Sequence, residues 1–105
     1  MGTVRLESAG KYEILKFAVP LNTTDYNVKV QQSAFVKLNE TPLATFVNVK
    51  SDLAGVTLKF NATTEASTDA LVAGLEYIRE DEWTGNIFIT NPSLTTAANF
   101  VIYLS

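Results

Sequence analysis

The sequence predicts an all-β fold, an antiparallel β-sandwich or a jelly-roll-like arrangement of about seven or eight strands. Of its 105 residues, 28 are β-branched and 11 are aromatic, and these types favour a pleated, half-buried surface. Apolar and polar residues alternate with period 2 in several segments. Turn-forming residues separate these segments at spacings of about 10–16 residues, as in meanders and Greek keys. The length, with no linker or repeat, predicts a single domain over residues 1–105.

The alternating segments locate the strands. Residues 56–61 alternate without error, with Val56, Leu58 and Phe60 on one face. Three further segments show the same alternation: Tyr12–Val19, Tyr26–Gln31 and Leu43–Lys50. Residues 99–105 are apolar on both faces. This last pattern predicts a strand covered on both sides, either inside the sheet stack or under a neighbouring subunit.

Residues 67–80 allow two interpretations. One is a long helix, since Leu71, Leu75 and Ile78 follow helical spacing after a plausible N-cap. The other is a short helical turn near residues 68–73 and then a strand over residues 75–79. That strand would pair with residues 86–90 through a loop at 81–85. We favour the second, because Gly74 and the acidic residues 80–82 disfavour a long helix.

The absence of two residue types excludes most catalytic and metal chemistry. With no Cys and no His, the chain has no thiol nucleophile, thiolate metal site or imidazole base. Its serines have no histidine to activate them, and no glycine-rich phosphate-binding motif occurs. We therefore expect no enzymatic activity, no cofactor and no metal ion.

The net charge of −3 argues against nucleic acid as a partner, because phosphate binding requires a basic footprint. No apolar run is long enough for a membrane-spanning helix. The first residues lack the pattern of a signal peptide. We therefore expect synthesis in a cytoplasm and no membrane partner.

The richest polar cluster is acidic and precedes the only tryptophan, Trp83; it consists of Glu76, Glu80, Asp81 and Glu82. In a strand, Glu80 and Glu82 would share a face about 6–7 Å apart. Paired glycosidase carboxylates and calcium ligands use similar separations. Solvated charges that protect a sheet edge are the favoured interpretation. For Trp83 we favour a place over the core, with an exposed stacking platform as the alternative.

The Cys- and His-free composition, strands such as 56–61 and 87–90, and a last strand at 100–104 together give the chain a recognisable profile. It resembles the small β-sandwich decoration (cement) proteins and minor virion structural proteins of tailed bacteriophages. The resemblance implies a non-enzymatic virion protein on the capsid surface. Its partners would be other copies of itself and a major capsid or other virion protein. It also implies that Gly2–Ser8 or Phe100–Ser105 extends a neighbour's sheet by strand addition.

The hypothetical interface residues are Phe100, Ile102 and Tyr103 of the last strand and Trp83, Glu80 and Glu82 of the acidic hairpin. The competing function is a carbohydrate- or host-surface-binding module that uses Trp83, Tyr77 and the acidic turn. A third function, a small enzyme, would require Glu80 or Glu82 in an apolar pocket that raises its pKa.

Overall fold

A computed structural model describes residues 12–33, 36–38 and 43–105. Its elements in chain order are strand β1 (Glu13–Val19), strand β2 (Thr23–Asn27), helix α1 (Val28–Gln31), a 3-10 helix (Val36–Leu38), and strands β3 (Ala44–Ser51), β4 (Thr57–Phe60), β5 (Glu76–Thr84), β6 (Ile87–Asn91) and β7 (Ala98–Leu104). The strand addition predicted for Gly2–Ser8 lies outside the described residues.

The strands form two antiparallel sheets around a shared core. Sheet A has four strands in the order β1-β7-β3-β5, and sheet B has three in the order β2-β6-β4. The largest fully buried side chains come from both sheets and from the short helices: Phe100, Leu38, Leu58, Ile87, Ile89, Ile102, Leu104, Val19, Val28, Val47 and Val49. The predicted all-β, sandwich-like fold is therefore confirmed, with seven strands among the described residues.

The last strand, β7, lies in the interior of sheet A. It pairs with β1 along one edge and with β3 along the other. Because both edges are paired within the chain, Phe100–Ser105 cannot also extend a neighbour's sheet. Phe100 and Ile102 point into the core, whereas Val101 is 38% exposed on the opposite side. Among the described residues, the sheet stack therefore covers only one face of this strand. Of the two predicted ways to cover the other face, the sheet stack does not apply, and cover by a neighbouring subunit stays a prediction.

A helix replaces the second half of the strand predicted at Tyr26–Gln31. Oδ1 of Asn27 accepts a hydrogen bond from the N–H of Val30 at 3.2 Å and caps the helix. The N–H of Lys29 donates to Oδ1 of Asn86 at 3.0 Å. The strand prediction is correct to Asn27 and wrong for residues 28–31. The Asn27 cap and the side chain of the distant Asn86 stabilise the helical turn, and an alternating sequence pattern reveals neither interaction.

No helix forms over residues 67–75, so the short helix expected there is wrong. This segment runs along β4 instead, where the N–H of Thr68 donates to the carbonyl of Leu58 at 2.8 Å. Further along, the N–H of Leu71 donates to the carbonyl of Val56 at 2.8 Å. Hydrogen bonds to a strand edge thus replace the local bonds of a helix, and the edge is shielded from other chains.

Strand β5 confirms the strand predicted at 75–79, but its predicted partner is wrong. β5 pairs with β3 in sheet A, whereas β6 pairs with β2 and β4 in sheet B. Gly85 and Asn86 carry the chain between the sheets. The side-chain Oδ1 of Asn61 accepts from the N–H of Gly85 at 2.7 Å, and the backbone N–H of Asn61 donates to the carbonyl of Asn86 at 3.0 Å. The turn between β5 and β6 is therefore a crossing between sheets and not a hairpin.

The buried Asn91 joins the end of β6 to the end of β1. Its side-chain amide donates to the carbonyls of Val19, Pro20 and Thr96 at 3.3, 3.2 and 3.0 Å. Its Oδ1 accepts from the N–H of Ser93 at 3.1 Å. One side chain of sheet B thus satisfies backbone groups at the end of β1 in sheet A and in the loop after β6, where an unpaired buried carbonyl would be costly.

We expect Asn91→Ala to lower the free energy of unfolding by about 2–3 kcal/mol, because it leaves buried carbonyls without a donor. Urea denaturation followed by circular dichroism measures this loss. Thr95→Ala, an exposed change in the same loop, serves as the control and should leave the midpoint unchanged. Equal midpoints for the two variants would contradict the role given to Asn91.

Candidate functional site

The outer face of sheet A, the side turned away from the core, carries large apolar side chains. The strand registers bring four outward residues side by side across the sheet, here called the Tyr103 row: Ile14, Tyr103, Asn48 and Ile78. The next row along the strands, the Val101 row, contains Lys16, Val101, Lys50 and Glu76. In the Tyr103 row, Ile14 is 53% and Ile78 is 47% exposed. Two β-branched aliphatic side chains therefore stand in solvent at opposite ends of one row.

An aromatic cluster fills the space beside these aliphatic residues. The Tyr103 ring stacks on Tyr12 with centroids 5.5 Å apart and meets Phe46 edge-on at 5.7 Å. Such offset and T-shaped contacts are favourable beyond the area they bury. Tyr12 is nevertheless more than half exposed. The cluster is thus ordered by its own contacts while it still presents apolar surface.

This composition is unusual for the solvent side of an antiparallel sheet. Such sheets normally alternate apolar residues inside with polar residues outside. Single exposed apolar residues are common, but contiguous ones mark interaction surfaces. Here Tyr12, Ile14, Tyr103 and Val101 adjoin one another across strands β1 and β7 and the residue before β1. Ile78 lies on β5 at the other end of the Tyr103 row, separated from Tyr103 by Asn48 of β3. The outer face is therefore the candidate functional site.

Charged residues border the apolar surface with opposite signs at its two edges. Lys16 lies on the edge strand β1, and Glu76 and Glu80 lie on the opposite edge strand β5. The Glu76 carboxylate accepts a hydrogen bond from the Asn48 side chain at 2.9 Å. The outer face consequently has a basic side and an acidic side.

A shallow groove of about 520 Å³ opens at the Val101 end of the outer face. Lys16 and Lys50 form part of its lining, and the small residues Ala18 and Gly74 contribute to it. Asp52 also lines the groove; its carboxylate accepts from the N–H and the side-chain amide of Asn99 at 2.8 and 2.7 Å. These two bonds fix the loop after β3 against β7.

The structure separates the predicted interface residues into three groups. Tyr103 and Glu80 belong to the outer face. Phe100 and Ile102 are buried in the core, so no partner can contact their side chains in the folded chain. Trp83 and Glu82 lie near the end of β5, in the unpaired stretch between Glu80 and Thr84.

The end of β5 is organised by Arg79. Its guanidinium lies 4.6 Å above the Phe60 ring, donates to the carbonyl of Trp83 at 3.2 Å and lies 3.4 Å from the Glu82 carboxylate. Trp83 is 58% exposed, so the prediction that it covers the core is wrong. The cause is a bulge at Asp81, which has φ +60° and interrupts the pairing with β3.

The same bulge changes the arrangement of the acidic residues Glu80 and Glu82. Glu80 and Glu82 are separated by a residue in the left-handed region, so simple strand alternation does not apply to them.

In the part of the chain that the structure describes, no three acidic residues group closely enough to hold a metal ion. Across the same residues, no helix is long and apolar enough to span a membrane.

Sequence reasoning missed most of the outer face. In the alternating segment of β1, Ile14 falls on the face opposite Leu15, Phe17 and Val19. This alternation is the available signal for an apolar outward residue. Ile78 gave no such signal, because its neighbours suggested a helix as readily as a strand. Phe46 and Tyr12 became part of the site only through their contacts with Tyr103.

Asp52 makes the stability depend on pH. Its side-chain and backbone hydrogen bonds with Asn99, in that order of size, lower the pKa of Asp52 below its ordinary value of 3.8. A lowered folded-state pKa stabilises the fold above the unfolded-state pKa, and this contribution is lost as pH falls toward the folded-state value. We expect the urea midpoint to fall less between about pH 5 and about pH 3 in Asp52→Asn than in the wild type. Asp69→Asn is the control, and identical profiles for all three proteins would contradict the expectation.

Comparisons with known proteins found no relative of this chain. No protein-family model matches the chain, and neither a curated protein nor a solved structure does.

Proposed function

We propose that this chain is a non-enzymatic structural protein, a subunit of a larger assembly that docks through the outer face of sheet A. The observation that carries the proposal is the contiguous apolar surface around Tyr103, between a basic edge and an acidic edge. An assembly subunit needs such a surface, whereas an isolated domain is better served by polar side chains there.

The energetic case follows from the exposure of this surface. Burying a previously exposed Ile or Val side chain contributes about 1.5–3 kcal/mol. Because Ile14, Ile78 and Val101 are 53%, 47% and 38% exposed, they together offer about 2–4 kcal/mol to a partner that covers them. Tyr12 and Tyr103 add large apolar rings with polar ends, a type enriched at the centres of protein interfaces.

Within this function, the finer proposal is a decoration (cement) protein that stabilises a bacteriophage capsid through protein–protein contacts. Its support is the resemblance of composition and strand pattern to small β-sandwich virion proteins, together with the exposed outer face. The partners would be other copies of the chain and a major capsid or other virion protein, and the location would be the capsid surface. No nucleic acid, membrane or cofactor is required for this function.

The test compares two outward apolar residues with a matched control. Ile14→Ser together with Ile78→Ser should reduce binding to capsid shells at least about tenfold, since two apolar anchors are lost. Leu94→Ser removes a comparably exposed apolar residue from the loop between β6 and β7 and should bind as the wild type does. Sedimentation of the protein with shells measures the binding, and circular dichroism checks the fold. Equal binding by both variants would contradict docking through the outer face.

A carbohydrate- or host-surface-binding module is the second candidate function, favoured by the exposure of Trp83. A hollow nearby is lined by Phe60, Asn61, Glu65, Arg79 and Glu82. Exposed indole rings stack on sugars, and carboxylates and amides bind their hydroxyls. Tyr77 does not take part as expected, because its ring stacks on Phe60 at 5.9 Å on the core side.

Trp83→Ala separates the two candidates. For a carbohydrate-binding module, the wild type should bind glycans on an array and the variant should lose that binding. For a capsid protein, the wild type should show no glycan binding that depends on Trp83. Tyr12→Ala, which removes an exposed ring from the outer face, is the matched control.

A further inference from the structure

The outer face is complementary to itself under one particular symmetry. Two sheets pack face to face about 10 Å apart with strand directions within about 30° of each other. A closed dimer requires a two-fold axis, which places the same surface of both copies in contact. The arrangement of the Tyr103 and Val101 rows distinguishes the possible axes.

Consider a two-fold axis in the interface that runs parallel to the strands, between β7 and β3. This axis places β1 of one copy opposite β5 of the other. It brings Ile14 of one copy opposite Ile78 of the other and Tyr103 opposite Asn48. In the Val101 row it brings Lys16 opposite Glu76, and Val101 opposite the methylene stem of Lys50. Apolar groups thus face apolar groups at both ends of one row, and opposite charges face each other at both ends of the next.

An axis perpendicular to the strands gives a poorer match at each position. Midway between the two rows, it brings Lys16 opposite Ile14 and Glu76 opposite Ile78, so that charged groups face apolar ones. Placed along the Val101 row, it brings Lys16 opposite Lys16 and Glu76 opposite Glu76. Placed along the Tyr103 row, it brings Glu76 opposite Glu80. Like charges disfavour both arrangements.

We propose that a second copy of this chain occupies the outer face, related by the two-fold axis parallel to the strands, with Lys16 paired to Glu76 of the other copy. The inference rests on the proposed function, because it names the partner that covers the same surface while the chain is free. Since both contacts use Ile14 and Ile78, a copy that docks on a shell gives up the contact with its second copy. Four strands about 4.8 Å apart and three pleat repeats of about 6.7 Å give a contact of roughly 20 Å by 20 Å. A contact of this size is small for a specific interface, so the dimer is reversible.

The first experiment exchanges charges in the full chain. Lys16→Glu alone and Glu76→Lys alone should each raise the dimer dissociation constant by at least about tenfold, because each places like charges together twice. The variant with both changes should return to within about threefold of the wild type. Analytical ultracentrifugation measures the constants. Additive weakening in the double variant would overturn the pairing.

The second experiment uses the absence of cysteine from the chain. Ile14→Cys and Ile78→Cys proteins, mixed and treated with a short bismaleimide, should give the mixed cross-linked dimer. Ile14→Cys alone should give almost none, whereas an axis perpendicular to the strands along the Tyr103 row predicts efficient cross-linking of Ile14→Cys to itself. Leu94→Cys is the control for random collision.

A wild-type monomer at all concentrations, with no mixed cross-link, would overturn the dimer. If that monomer still binds capsid shells through Ile14 and Ile78, the proposed function stands and only the self-pairing fails. If it binds neither shells nor itself, both proposals fail.

Discussion

The position of β7 between β1 and β3 is the constraint on which the remaining structure depends. Strand side chains alternate between faces, so pairing on both edges fixes which residues of β7 enter the core. Phe100, Ile102 and Leu104 enter the core, and Val101 and Tyr103 must then face outward. A slip of one residue would exchange the two sets. The core therefore determines the composition of the outer face through a single register.

That register also aligns the neighbouring strands. Ile14 of β1 and Asn48 of β3 both lie opposite Tyr103, and Ile78 lies opposite Asn48. Residues from widely separated parts of the chain thereby form one row across four strands. The outer face is consequently a property of sheet A as a whole, and no short segment of sequence contains it.

The sequence predicts the local features well and the long-range ones poorly. Alternation in 56–61 and a period-2 face in 12–19 correspond to β4 and β1, because a half-buried strand imposes that pattern on its own residues. The partner of β5 could not be predicted, since it depends on Asn61 holding the crossing at Gly85 from a distant strand. For the same reason, Val28 and Val30 suggested a strand although Asn27 and Asn86 hold their backbone in a helical turn.

The predicted site residues show the same difference between local features, which the sequence predicts, and long-range features, which it does not. The last strand was correctly identified as apolar on both faces, but sequence alone could not decide which face the core would take. Phe100 and Ile102 were selected with Tyr103, and only Tyr103 faces outward. Trp83 was misplaced because the bulge at Asp81 reverses the expected direction of the residues that follow it.

The mixture of groups on the outer face indicates the kind of contact that it makes. A permanent interface resembles a domain core and excludes charge from its centre. Asn48 instead lies between the apolar ends of the Tyr103 row, and Lys50 lies beside it on β3 in the Val101 row. The charges at the edges differ in sign between β1 and β5, which favours one orientation of a partner over its reverse. A surface with apolar ends, a polar centre and oppositely charged edges selects geometry more strongly than it supplies affinity, which agrees with the role proposed above for the chain as an assembly subunit.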